Sequence, residues 1–217
     1  MITVCCLKLG TKYGPEYVNV LESMVRRNVV SAPYEFVCFT DDAAGIRPEI
    51  GTAPLPCELP GMWAKMALYM PEILSIDTER LLFLDLDIVV TGNLDGLMCY
   101  ESDFAMAKDW PSGMLSAEDH RNVYGNTSVV LLKTGAAARL WDAYRASGFP
   151  THGYGDGDQG WINHTFPGAA DLLPEKMVQS YKMHHLEGDT PPSCDIVMFH
   201  GTPKPHECGG WVKGYWQ

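Results

Sequence analysis

Residues 81–90 read LLFLDLDIVV, an apolar run broken only by Asp85 and Asp87. Taken as one extended strand from Leu81 to Val90, the spacing of the pair sends both carboxylates to the same side. Flanked by Leu84, Ile88, Val89 and Val90, they are partly desolvated, and like charges held together in such a place are unfavourable unless a cation neutralises them. In an open α/β sheet a ligand sits beyond the carboxyl ends of the strands, which is where this pair is expected to lie. Asp-x-Asp also arises at ordinary strand ends and turns. Its place inside an apolar run favours a site.

Oxygen-bound magnesium or manganese is the natural neutraliser. These ions take one or two carboxylates and complete their coordination with water and substrate phosphate. The motif therefore predicts a metal-bridged diphosphate, and with it a nucleotide-activated substrate.

A chain of 217 residues suits one domain with a substantial core. Hydrophobic residues make up 46% and charged ones 20%, as in globular rather than disordered chains. No apolar stretch reaches the roughly 20 residues of a membrane span, and Met1 leads into ITVCCLKLG, which lacks a basic start and a cleavage site. Seven cysteines, an odd number without a Cys-x-x-Cys pair, read as reduced thiols. Together these features predict a cytoplasmic protein. A net charge of −11, with no basic cluster beyond Arg26-Arg27, argues against a nucleic-acid partner.

Ile2 to Leu9 reads as a buried strand, followed by a Gly-Thr-Lys-Tyr-Gly-Pro loop. Val18, Leu21, Val25 and Val29 fall on one face of a helix from Glu16 to Val30, and Tyr34 to Thr40 is a second strand. Strand, helix, strand is the unit from which a parallel sheet is wound. Met62 to Leu74 has helical spacing, with Pro71 as a kink or early stop. Phe104 to Lys108 and Val129 to Leu132 are further strands, while the polar segment from Ser112 to Tyr124 resists assignment. Thr134 is expected to cap a helix running to about Ser147. Phe149 to Gln217 reads as site-building loops, not a second domain, with one apolar strand at Asp195 to Met198.

Two more segments carry chemistry. In Gly153 to Asn163, GYGDGDQGWIN, glycines allow close backbone approach while an acid beside an amide suits sugar hydroxyls; a helix start capped by Asp156 or Asp158 is the competing reading. In Phe199 to Pro205, FHGTPKP, His200 offers an imidazole nitrogen to a metal, Gly201 leaves room for backbone approach, and Lys204 brings a mobile positive charge. A lone histidine more often serves a core or turn, but histidine, glycine and lysine together are the set a diphosphate leaving group requires.

These segments, in this order, resemble glycosyltransferase family 8, the glycogenin-like enzymes of the GT-A fold. Asp85-x-Asp87 with Asn93, Asp95 and Leu97 is similar to the family's Asp-x-Asp stretch, and Asn126-Thr127-Ser128-Val129 to its Asn-Ser-Gly-Val strand. Asp158-Gln159-Gly160 with Asn163 resembles its Asp-Gln-Gly-x-x-Asn segment, and His200-Gly201 with Lys204-Pro205 its His-x-x-Gly-x-x-Lys-Pro signature. The resemblance implies a single α/β domain with a Rossmann-like, mostly parallel mixed sheet flanked by helices. Residues 1–110 would form its nucleotide-binding half and 111–217 its acceptor side. It implies Asp85, Asp87 and His200 as ligands of Mn²⁺ or Mg²⁺, Gly201 and Lys204 on the diphosphate, and Asn126, Asp158 and Gln159 on the donor sugar. Tyr13 is implied to stack on the nucleotide base, and Lys65 matches the family's basic residue ahead of the Asp-x-Asp strand.

The implied reaction is transfer of a sugar from a nucleotide diphosphate, a UDP-sugar, to a hydroxyl acceptor with retention, Asp158, Gln159 and Lys204 being the catalytic set. An inverting enzyme needs a carboxylate base, for which Asp156 or Asp158 is available, so the stereochemistry stays open. Acceptors on glycan, lipid, protein or small molecule all fit. The chain departs from the pattern where His200 directly precedes Gly201, where His206 follows Lys204-Pro205 in place of tryptophan, and where Ser128 replaces glycine. A non-catalytic nucleotide-sugar-binding module is one alternative. A sugar-phosphate nucleotidyltransferase is another, although residues 1–15 lack its Gly-rich basic signature. Trp211, Tyr215 and Trp216 read as an acceptor platform, a lid, or a tail packed on the core or on the second subunit of a homodimer.

Overall fold

The order of elements in the computed structural model, which describes residues 1–73, 78–110, 124–155 and 157–217, follows from which strands are apolar on both faces. β1 (Ile2–Lys8) and β4 (Arg80–Leu84) lie side by side and parallel at the middle of a seven-stranded sheet. In β1, Val4 and Cys6 face one core cluster and Cys5 the other; in β4, Leu82 and Leu84 face the first, Leu81 and Phe83 the second. Alternate residues of a strand point to opposite faces, so a strand covered twice reads as an unbroken apolar run.

Outward from β1 come β2 (Tyr34–Thr40) and β3 (Gly51–Ala53), both parallel to their inner neighbours. On the other flank β7 (Gly125–Lys133) pairs antiparallel with both β4 and β6 (Phe104–Lys108), and β8 (Asp171–Leu172) closes the edge parallel to β6. A smaller sheet has the order β5 (Ile88–Val90), β10 (Ile196–Met198), β9 (Val178–Ser180). It covers one face of the main sheet together with α1 (Pro15–Asn28); a 3₁₀ segment, Gly61–Tyr69, covers the other with α3 (Thr134–Ala146) and α4 (Asp158–Thr165). Two short helices, α2 (Asp95–Met98) and α5 (Val212–Tyr215), complete the fold. Among the described residues no helix is long and apolar enough to cross a membrane. All seven cysteines are free thiols.

Several expectations are corrected. Leu81 to Val90 is two strands in two sheets: the main-sheet ladder stops at Leu84, and the chain turns through Asp85–Asp87 before Ile88–Val90 pairs with β10. The aspartates therefore owe their common direction to a turn, not to the alternation of one strand. Met62 to Leu74 is the tighter 3₁₀ segment ending at Tyr69, with Pro71 just beyond its end. Thr134 is the first helical residue and not the cap; Lys133 occupies the cap without a side-chain bond, its backbone already engaged in β7. The stretch from Phe149 onward holds α4, α5 and three strands in addition to loops. Leu74, Asp156 and the segment from Ser112 to residue 123 lie outside the described residues.

Candidate functional site

β1 and β4 end at the same edge, and the loops leaving them form a cleft of about 690 Å³. That is within the range of small-molecule and cofactor sites. Gly10, Lys12 and Tyr13 come from the first loop, Asp85 and Asp87 from the second, and Gly201 and Lys204 from the segment after β10. Three of the sequence-selected segments thus converge on one opening, the first two because β1 and β4, as parallel neighbours, present their carboxyl ends together.

The aspartates are held by lysines. Asp85 Oδ1 takes a hydrogen-bonded ion pair from Lys65 Nζ at 2.7 Å, and Asp87 Oδ2 is paired with Lys204 Nζ. The Tyr13 hydroxyl donates to the same Asp87 oxygen at 2.8 Å. Burial, followed by the Asp87 charge, pushes the Tyr13 phenol up, so it stays a neutral donor. Its ring packs on Tyr17 at 4.7 Å between centroids. Tyr13 therefore lines the cleft as a bridge between Asp87 and α1.

Lys65 answers to more than one carboxylate. Burial alone lowers a lysine, but Asp85, Asp158 and Asp87 outweigh it and raise the ammonium above its usual value. Asp158, at the start of α4 and 2% exposed, goes the other way: burial drives its carboxyl to about 6, against the pull of Lys65 and a hydrogen bond from Thr127. One of its oxygens, Oδ2, is buried with no partner.

Between Met106 and Ala107 of β6 the ladder to β7 slips, releasing Thr127, Ser128 and Val129 from β6. The released bulge turns to the aspartates, where the Asp85 N–H donates to the Ser128 carbonyl at 2.8 Å. Asn126 Oδ1 accepts from the Ser128 N–H at 2.8 Å, and Gln159 Oε1 from the Thr127 N–H at 3.2 Å. Asn163 clamps the base of the bulge, accepting from the Gly125 N–H at 2.9 Å and donating to the Gly125 carbonyl at 2.8 Å and the Gln159 carbonyl at 2.9 Å. Asn126, Asp158 and Gln159 stand behind the wall that Lys65 and Ser128 present to the cleft. They hold its shape.

His200 is half-buried. Its Nε2 is buried without a partner, and burial lowers its pKa, disfavouring the charged ring. Two carboxylates and a neutral imidazole are the right donors for a hard divalent ion, and the orphaned nitrogen fits that use. Among the described residues no three such groups stand together as a ready-made metal cluster. Gly201, at φ 65°, lines the cleft beside His200, in the left-handed region that favours glycine.

Sequence reasoning missed the apolar wall made by Leu59 and Met62, the latter 58% exposed. It also missed Lys12, another lining residue of the cleft. The Pro60-Gly61 step, which marks a turn into the 3₁₀ segment, is the one signal that points to that wall.

No protein-family model matches the chain, and its sequence matches no curated protein. Solved structures match its shape. The galactosyltransferase LgtC, in complex with donor and acceptor sugar analogs, superposes with a TM-score of 0.69 at 13% identity, over 98% of this chain and 93% of that one. The glycosyltransferase GlyE of Streptococcus pneumoniae TIGR4 gives 0.68 at 16% identity, over 100% of this chain and 60% of that one. The bifunctional glycosyltransferase WbbM in its apo form gives 0.66 at 12% identity, over 94% of this chain and 46% of that one. At such identities the likeness is one of architecture, and the chain has the GT-A type of α/β fold that these glycosyltransferases share.

Proposed function

We propose that this chain is a glycosyltransferase that moves a sugar from a nucleotide diphosphate donor, a UDP-sugar, to a hydroxyl acceptor with retention, as in glycosyltransferase family 8. The observation that carries the reading is the convergence of Asp85, Asp87, Gly201 and Lys204 on one cleft at the carboxyl ends of β1 and β4. Carboxylates alone repel a diphosphate, whereas carboxylates beside a transferable cation and a bare backbone can receive one.

Asp85 and Asp87, with His200 as the third donor, would hold Mn²⁺ or Mg²⁺, which when bound supplies Lewis-acid neutralisation of the departing diphosphate. Lys204 reaches from the same loop as Gly201, and its ammonium shifts from Asp87 to a phosphate oxygen as negative charge grows there. Gly201 admits the diphosphate close to the backbone. Lys65 holds Asp85 in place and offsets part of the burial of Asp158. Asn126, Asp158 and Gln159 set the bulge against which the donor sugar lies, and Tyr13 steadies Asp87 on the nucleotide side.

A second reading, binding without turnover, draws support from the lysine-paired aspartates. UDP release from UDP-sugars in the presence of manganese separates the two. Turnover that falls at least about 100-fold in Asp85→Ala, Asp87→Ala and Lys204→Ala supports the transferase. Tight binding of a UDP-sugar without any release of UDP overturns it.

A further inference from the structure

Lys182 lies in the turn that follows β9. It is half-buried, and among the described residues its ammonium forms no ion pair, although the chain has 27 acidic residues against 16 basic ones. The two lysines set between cleft and core, Lys65 and Lys204, both have carboxylates.

Its position is fixed from both sides. Tyr181 stacks on Phe199, itself a lining residue of the cleft, at 4.5 Å and 18°, and the Tyr181 N–H donates to the Met198 carbonyl at 2.9 Å. After it the chain closes a turn: the His185 N–H donates to the Lys182 carbonyl at 3.2 Å and the Leu186 N–H to the Tyr181 carbonyl at 3.0 Å. His185 is held there at φ 51°, a strained value for a non-glycine residue, and such strain clusters at functional sites. The result is that Lys182 Nζ stands 3.7 Å from where a Cβ on Gly201 would be. It faces the residue that admits ligand to the backbone, beside the imidazole of His200.

We infer that Lys182 is a further anion-binding residue of the cleft, meeting an oxyanion that arrives over Gly201. The inference rests on the proposed donor site. The oxyanion is either a phosphate of the leaving diphosphate or a carboxylate on an acceptor sugar. Both present the charged, strongly accepting oxygens that an unpaired ammonium takes.

Calorimetric titration of inorganic pyrophosphate, UDP and glucuronate into the full chain and into Lys182→Met, Lys182→Arg and Lys204→Met tests this. Lys182→Met keeps the aliphatic stem, and Lys182→Arg keeps the charge; a thermal unfolding curve for each confirms the fold. Loss of roughly tenfold in pyrophosphate and UDP affinity in Lys182→Met, largely restored in Lys182→Arg, places the residue on the diphosphate. Unchanged UDP binding with loss of the glucuronate binding seen in wild type places it on an acceptor carboxylate. Lys182→Met equal to wild type for every probe overturns the inference, and Lys204→Met then shows separately whether the donor site stands. A wild-type chain that binds none of the three overturns both.

Discussion

Lys65 and Asp85, both lining the cleft, meet at 2.7 Å, and the same ammonium donates to the Thr127 carbonyl at 3.3 Å. One cation thus ties the end of β4 to the bulge of β7 and offsets Asp158 behind it. Lys65→Met removes the charge and leaves the stem. Asp85 and Asp158 then face each other uncompensated; removing one partner of a fully buried pair costs about 3–5 kcal/mol, and this part-buried pair stands at the low end of that range. Urea unfolding is expected to show that loss, and manganese-dependent UDP release is expected to fall at least tenfold, or about 1.4 kcal/mol of barrier.

Asp158 gives the site a pH dependence with a defined sign. Its carboxyl titrates at about 6 in the fold, against 3.8 ordinarily. The unfolded chain releases that proton first, so the fold binds more protons between these values and loses stability as pH rises through them. Asp158→Asn is therefore expected to be more stable than wild type at neutral pH by about 2–3 kcal/mol, the gap closing below about pH 4. UDP release in the same variant is expected to drop, since the ionised carboxylate belongs to the proposed donor site. Thermal unfolding across pH checks the first statement and kinetics the second.

Asp95 separates fold from chemistry. Its carboxylate accepts from the N–H groups of Val30, Ser31 and Ala32 and from the Ser31 hydroxyl, pinning the turn between α1 and β2. Those bonds hold its pKa below the usual carboxylate range. The stabilisation is present above the ordinary value and is lost as pH falls through the lowered one. Asp95→Ala is expected to lower the unfolding temperature and leave UDP binding by calorimetry unchanged.

Gly157 lies under the apolar wall, at φ 62° with its missing Cβ only 2.8 Å from Met62 Cβ. Gly157→Ala forces both a left-handed alanine and a displaced Met62. Stability is expected to fall by about 1–3 kcal/mol in urea unfolding. The donor KM is expected to rise more than kcat falls, because the wall moves while the charged groups stay.

What the sequence made legible follows a physical division. Asp85 and Asp87 stood out because charge inside an apolar run is expensive, and β1, β2 and β6 were readable because their apolar runs are short and bounded. The break after Leu84 was not, since nothing in LLFLDLDIVV says that Ile88 pairs with β10, a partner more than a hundred residues away. The bulge at Thr127–Val129 was equally silent, being created by Gln159 and Asn163 from another element. Lys182 carries no local signal at all. Its meaning comes only from its nearness to Gly201.

Because the ladder is handed over between Leu84 and Ile88, the turn bearing Asp85 and Asp87 is also the seam between the large sheet and the small one. Any rotation of one sheet against the other alters the spacing of the two carboxylates. A ligand gripping both works as a rivet across that seam, so occupancy and rigidity rise together, by RT ln(1 + [L]/Kd) in the free energy of unfolding.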